Sequence, residues 1–386
     1  MNEKKINLVE DTITKDDVGH LIEWLKTNPR LTKGEQTEEF ENEWSAFNGS
    51  KYSVFVNSGS SANLGIISAL VQSGRLKNNK VIVPAVSWST TVAPVIQCGL
   101  EPILVDADEN NLGICPKDLE RKLKEHKPSA CIIVHVLGFP CDMDKILKLC
   151  KEYDCILIED SCESVGSVYS GKKTGCFGLA SSFSFYFGHH MSTIEGGMIC
   201  TDDYDFYQLV KSIRSHGWDR DLDEKTQTKL RTENQVDDFN ALYTFYYEGF
   251  NLRSTDLQAF IGRNQLKNLP HTISKRKSNF NLYQSLINNS WKPNPVGDLI
   301  SNFAYPIMTD NRNELIKKLR ENNIECRPLI CGSIGRQPFW VRKYGIHNMT
   351  VADKIHNKGL YVPNHQNMNK DDIYRVCKII NKEVNI

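Results

Sequence analysis

The chain predicts an α/β fold: a large domain around a mostly parallel sheet, followed by a smaller C-terminal domain. Three observations predict it. Over the first 250 residues, short apolar runs alternate with amphipathic segments, the pattern of strands joined by crossover helices. Several runs, such as Ile103-Leu104-Val105 and Ile156-Leu157-Ile158, are continuously apolar, as in strands buried on both faces. After a long helical stretch the character changes, and 386 residues suit one large core plus a smaller one.

Seven strands are expected in the first domain, at 53–57, 80–84, 102–106, 130–136, 155–160, 182–186 and 197–201. Between them, 116–125 and 143–153 carry apolar residues at helical spacing with Lys and Glu opposite. A helical pattern over 254–286, interrupted at Pro270, joins the two domains. Beyond it, 302–307 reads as a strand, 313–322 as a helix and 370–384 as a terminal helix. The expected division is a cofactor-binding domain over 1–253, then the connecting helix and small domain over 254–386. The charged stretch 219–231 is expected to be a mobile loop.

Bulk properties exclude some function classes. Lys plus Arg equals Asp plus Glu at 47 each, so no net basic field draws the chain to nucleic acid or an anionic membrane. Met1 to Lys5 leads into polar sequence, and no run approaches the ~18 apolar residues of a membrane span, so a cytoplasmic location is expected. The twelve cysteines are scattered through expected strands and helices, which predicts reduced thiols. Cys131, Cys155 and Cys200, in apolar runs, read as small buried hydrophobes.

Four segments carry chemistry. Asn57-Ser58-Gly59-Ser60-Ser61-Ala62-Asn63 follows a strand and opens a helix, where free N–H groups at Gly59, Ser60 and Ser61 can take a phosphate; alone, it reads first as an ordinary serine-rich cap. Trp88 sits just past a strand end, where an indole can stack on a planar ligand or simply fill the core. Ile158-Glu159-Asp160-Ser161-Cys162-Glu163-Ser164 ends a buried strand in carboxylates. Ser184-Phe185-Tyr186-Phe187-Gly188-His189-His190-Met191-Ser192-Thr193-Ile194-Glu195-Gly196-Gly197 places two histidines ahead of a Glu-Gly-Gly. Adjacent residues project to different sides, so His189 and His190 do not make a metal pair, and no metal is expected. Gly166 to Lys173 nearly spells a nucleotide phosphate loop but lacks its Ser or Thr.

In this order, the segments resemble the DegT/DnrJ/EryC1/StrS sugar aminotransferases, over nearly the whole chain. The resemblance implies a pyridoxal-phosphate enzyme of fold type I, aspartate aminotransferase-like, with a seven-stranded sheet. By the same resemblance, Gly59, Ser60, Ser61 and Ser184 hold the cofactor phosphate, Trp88 stacks on its ring and Asp160 pairs with its pyridine nitrogen. Gly249-Phe250-Asn251-Leu252-Arg253 matches an element whose asparagine, here Asn251, reaches the phosphate of a neighbouring subunit, implying a homodimer with shared sites. His216 matches a segment near the substrate and is nearly as readily a structural histidine. Arg327 matches a small-domain arginine that can bind a carboxylate or a phosphate, or serve as a surface ion-pair residue.

Two positions depart from the aminotransferases. His189 stands where they place the cofactor lysine, and Glu163 where they usually have Gln or His. Imidazole cannot anchor the cofactor covalently but can move a proton, and its pKa is expected near neutrality. Both departures resemble the branch that removes a hydroxyl. An iron–sulfur relative of that branch has a Cys-x-Cys element, and no two cysteines here are separated by one residue. The expected activity is 3-dehydration of a nucleotide-linked 4-keto-6-deoxyhexose, GDP-4-keto-6-deoxymannose first among them, in deoxysugar biosynthesis for surface glycans. It would use pyridoxal and pyridoxamine 5'-phosphate with L-glutamate as amino donor and His189 as the base. The alternatives are a nucleotide-sugar aminotransferase, with Lys173 as a substitute lysine, and a catalytically silent cofactor-binding relative.

Overall fold

The computed structural model describes residues 4–288 and 291–384. The first domain contains β1 (Tyr52–Val56), β2 (Lys80–Pro84), β3 (Glu101–Val105), β4 (Ala130–Val134) and β5 (Ile156–Asp160). A small hairpin follows, β6 (Val168–Tyr169) and β7 (Lys172–Lys173), then β8 (Ala180–Ser184) and β9 (Gly197–Thr201). Seven of these form one sheet in the order β1-β9-β8-β5-β4-β2-β3. Only β9 runs against its neighbours, β1 and β8; the other pairings are parallel. The continuous apolar runs are explained: β4, β8 and β9 are buried along their whole length.

The directions of the strands decide where chemistry can happen. β1, β2, β5 and β8 point the same way, so the segments leaving them share one edge of the sheet. Those segments start at Asn57, Ala85, Ser161 and Phe185; Asp160 and Ser184 close the strands themselves, and Gly59, Trp88, Glu163 and His189 follow just beyond the strand ends.

Four expectations change. The strand expected over 182–186 lies two residues earlier, so His189 sits in a turn, its N–H donating to the Tyr186 carbonyl (2.9 Å). The strand expected to 136 stops at Val134, because the chain then tightens into a 3-10 turn, Val136–Gly138, with Leu137 at φ 53. Pro270 does not interrupt its helix, which runs unbroken from Asp256 to Leu286. Leu269 and Ile273 on either side pack into the core around Phe40, Trp44 and Phe185, and this packing outweighs the hydrogen bond that proline removes. The stretch 219–231 is not a loose loop. Asp223 caps a helix, Glu224–Glu233, on the Thr226 N–H, and buried Asp219 pairs with Nε of Arg231 at 2.7 Å. Asp221 ties the stretch to the rest of the domain through Lys33 and Arg214.

The second sheet, β10 (Tyr305–Met308), β11 (Arg327–Pro328) and β12 (Gly359–Val362), is antiparallel in the order β10-β12-β11. Helices Arg312–Glu321 and Lys370–Val384 accompany it. One apolar cluster runs without a break from Val54, Val83 and Ile199 to Ile307, Leu315, Leu360 and Ile380. Chain from the start of the sequence joins it too, Ile6 pairing with Ile324.

Candidate active site

The helix Gly59–Gln72 begins at the end of β1. Ser58 is extended, and its Oγ accepts from the Ser61 N–H (3.0 Å). The N–H groups of Gly59 and Ser60 have no acceptor within the helix, and the helix dipole adds positive potential there. A Cβ on Gly59 would lie 2.6 Å from Cβ and 3.1 Å from Oγ of Ser184. Glycine is therefore what lets the end of β8 close against the helix start, putting a serine hydroxyl beside the free N–H groups. Ser60 Oγ also meets Thr90 Oγ1 at 2.8 Å, tying in the helix Ser89–Gln97. The result is a small cradle for an anion.

Asp160 is the last residue of β5 and is buried. Its Oδ2 accepts from Asn63 Nδ2 (2.9 Å) and Thr91 Oγ1 (2.8 Å), and its Oδ1 from the Cys162 N–H (3.1 Å). Asn63 is itself oriented by the Ser182 hydroxyl at 2.6 Å. Oδ1 keeps a lone pair for one further donor. Trp88 lies beyond the end of β2 and is 58% exposed, although Ser87 and Thr91 beside it are buried. A flat apolar face is thus left open at the same sheet edge.

His189 is fixed by a polar contact from one side. Its Nδ1 lies 2.9 Å from the Cys162 carbonyl, which can only accept, so Nδ1 carries the proton and Nε2 holds the lone pair. Burial, with a further contribution from the nearby Arg276 guanidinium, pushes its pKa down to about 4. The expectation of a near-neutral value is thereby corrected. Glu163 behaves oppositely: burial first, then the Asp160 carboxylate, push its pKa up to about 7, against the Leu137 N–H that donates to Oε2 (2.8 Å). The Leu137 contact depends on the 3-10 turn after β4. His190 turns elsewhere, with Nε2 donating to Ser301 O at 3.0 Å.

Asn251 and His216 belong to a second cluster. His216 adopts φ 64, its N–H donates to Phe250 O (2.7 Å), and Ser215 bridges to Asn251. The two stretches touch backbone to backbone at Gly249, where a Cβ would lie 2.1 Å from the Gly217 nitrogen. Arg253 connects the polar atoms: Nε donates to Asn251 Oδ1 (3.0 Å) and Nη2 to His216 Nε2 (3.2 Å). The guanidinium groups of Arg253 and Arg220 lie 5.5 and 4.4 Å from the Trp218 ring centre. No described contact joins Asn251 or His216 to Asp160 or His189. Arg327 is exposed on β11 opposite Tyr361 of β12, whose hydroxyl pKa is raised by burial first and then by Glu163, with Arg327 opposing.

The DegT/DnrJ/EryC1/StrS aminotransferase family matches residues 11–381. The chain belongs to this family. A GDP-4-keto-6-deoxy-D-mannose 3-dehydratase from Yersinia pseudotuberculosis is 36% identical over 369 residues, 91% of this chain and 92% of that one. The structure of an Escherichia coli GDP-4-keto-6-deoxy-D-mannose 3-dehydratase with bound hydrated PLP superposes at a TM-score of 0.90. It has 33% identity and covers 98% of this chain and 100% of that one. An aminotransferase of pseudoaminic acid biosynthesis from Helicobacter pylori shares the fold, with a TM-score of 0.87 at 24% identity over 99% and 100% of the two chains.

The residues fit the family's pyridoxal phosphate: a cradle that any Cβ on Gly59 would fill, a buried carboxylate with a lone pair to spare, and an open indole. His189, on the turn after β8, offers an imidazole and no primary amine at this edge. Lys173 does not supply it, since its Nζ donates to the Phe47 carbonyl and lies 4.4 Å from the Phe47 ring centre. Sequence reasoning missed Thr91, Leu137 and Arg276, and it quoted Asn63 and Cys162 without a role. Thr91 and Asn63 sit one turn into helices that start at the right sheet edge, and that spacing was the available signal.

Proposed function

We propose that this chain is a pyridoxal-phosphate-dependent 3-dehydratase acting on a nucleotide-linked 4-keto-6-deoxyhexose, with GDP-4-keto-6-deoxymannose as the first candidate. The observation that carries the reading is His189: a neutral imidazole with Nδ1 tied to Cys162 O and a free Nε2, standing where a transaminase needs a primary amine. When bound in its amine form, the cofactor supplies the nitrogen that meets the 4-keto group and a ring that stores an electron pair. The N–H groups of Gly59 and Ser60 and the hydroxyls of Ser61 and Ser184 would hold its phosphate, the Ser61 N–H being taken by Ser58, and Trp88 its face. Asp160 would keep a proton on the ring nitrogen, its other lone pairs being taken by Asn63, Thr91 and Cys162.

Nε2 of His189 would accept a proton on the cofactor side and return it to the departing C3 hydroxyl. Hydroxide leaves poorly, and the conjugate acid of an imidazole whose pKa is pushed down to about 4 is a strong donor for that step. Glu163, with a pKa near 7, presents a carboxyl that exchanges protons at neutral pH. His216 and Arg327 are read as sugar or diphosphate contacts. Asn251 is read as serving the cradle of a second copy of the chain, in a homodimer. Support comes from the cluster around it, which has an exposed apolar flank of Phe239, Leu242, Tyr243 and Phe245. L-Glutamate is read as the amino donor.

The test is mass analysis after incubation with pyridoxal phosphate, glutamate and GDP-4-keto-6-deoxymannose. The expected sugar has lost one oxygen atom and contains no added nitrogen, with 2-oxoglutarate and ammonia formed in equal amounts. A nitrogen-bearing sugar would make the chain an aminotransferase and overturn the reading.

A further inference from the structure

Arg276, on the helix Asp256–Leu286, is 1% exposed. Its hydrogen bonds go to carbonyls alone: Nη1 to Phe303 (2.7 Å) and Asn364, and Nη2 to His189 itself (3.3 Å). Its Nε has no partner. Arg214 is equally buried and is the natural contrast, because Glu41 at 2.5 Å and Asp221 at 3.5 Å neutralise it. A guanidinium does not shed its proton at physiological pH, so Arg276 carries a full charge in the interior with no carboxylate partner among the described residues. Such a charge is costly to the fold, and its field reaches far in a medium of low dielectric constant.

The field falls on the catalytic turn. The Phe303 ring lies 5.8 Å from the Arg276 guanidinium carbon and 5.2 Å from the His189 ring centre, so cation and imidazole pack on one aromatic side chain. We propose that Arg276 is a positioning residue for the dehydration: it holds the His189 turn through the backbone carbonyl, and its charge favours the neutral, proton-accepting imidazole. The proposal rests on His189 being the base.

The other groups facing the imidazole do not duplicate this effect. Asp160, at the end of β5, favours the protonated form. The Cys162 thiol is pushed well up by burial and stays neutral, and Tyr186 presents only its ring. His190 is pushed well down, by burial first and Arg276 second, and His365 likewise, to about 4. Three imidazoles are thus kept neutral near one cation.

The test compares wild type with Arg276→Met, which removes the charge, and Arg276→Lys, which keeps it. The titration of His189 is read from C2-proton exchange by mass spectrometry on the cofactor-loaded full chain without sugar, using His189→Asn to separate His190. In wild type, His189 is expected to titrate below the ordinary imidazole value. Arg276→Met should raise that midpoint, and the acid limb of kcat/KM with it, by about one pH unit or more, because loss of a like charge favours protonation. Arg276→Lys should leave both near wild type while lowering the melting temperature. A wild-type His189 titrating at or above the ordinary value overturns the proposal, even if Arg276→Met fails to fold. So does a midpoint unmoved by Met, or one moved as far by Lys. Because no sugar is present, a nitrogen-bearing product would sink the dehydratase reading and leave this measurement standing.

Discussion

The sheet-edge cluster and the outer cluster differ in how complete one chain makes them. At the sheet edge, Asp160 is buried and Glu163 and His189 are half-buried, and each is oriented by at least one partner from its own chain. In the outer cluster, Arg220 lies on the Trp218 and Tyr243 rings, Arg253 connects Asn251 to His216, and among the described residues no carboxylate pairs with either cation. The outer cluster is also bordered by Phe239 and Tyr243, 82% and 75% exposed. On the function proposed above, the difference would be a division of labour: proton chemistry assembled within a chain, and two further cations presented outward. The dimer reading gives that outward surface something to recognise.

The largest effect should come from the sheet edge. His189→Asn is expected to lower dehydration about 10²–10⁴-fold while the bound-cofactor absorbance persists, since an amide cannot shuttle the proton. Unchanged turnover would remove His189 as the base. The next test breaks the comparison itself. Asn251→Asp, which sets a carboxylate against a phosphate, should be inactive alone. Mixed and reassembled with His189→Asn chains, it should regain about a quarter of wild-type activity, because half the dimers are mixed and each has one intact site. No recovery would mean that Asn251 serves its own chain.

How much of this was readable beforehand follows from where the contacts come from. Strands declared themselves through local apolar runs, but β8 was placed two residues late because Phe185 and Tyr186 are as apolar as the strand. Only its pairing with β5 and β9 sets its ends. Asp160 and Gly59 stand at strand ends, a local signal, whereas the partners that orient the site do not. Asn63 and Thr91 reach Asp160 across 97 and 69 residues, and Arg276 reaches the His189 carbonyl across 87. A lone arginine in a charged helical stretch, Lys275-Arg276-Lys277, looks like a solvated face. Pro270 misled for the same reason: the packing that holds its helix lies far away in sequence.

A smaller effect sharpens the outer half. Arg253→Ala removes the side chain that joins Asn251 to His216 and is expected to raise KM for the nucleotide sugar about tenfold or more, the scale of one charged hydrogen bond, with a smaller change in kcat. A fall in kcat at constant KM would instead place Arg253 with the proton chemistry.

The smallest effect belongs to Glu163, and its pH dependence has a definite sign. Burial and Asp160 raise its carboxyl to about 7 in the folded chain, while the unfolded chain keeps an ordinary carboxylate value. Between those two values the native state binds the extra proton. Its contribution to stability is therefore complete below the unfolded pKa and declines as pH rises through about 7. Glu163→Gln keeps an acceptor for the Leu137 N–H but cannot titrate, so its melting temperature should fall less than wild type's between pH 5 and 8, measured without cofactor. Turnover should drop only a fewfold, since Glu163 is not the group assigned to carry the reacting proton. Parallel melting curves for the two proteins would mean that Glu163 is already ionised at pH 5.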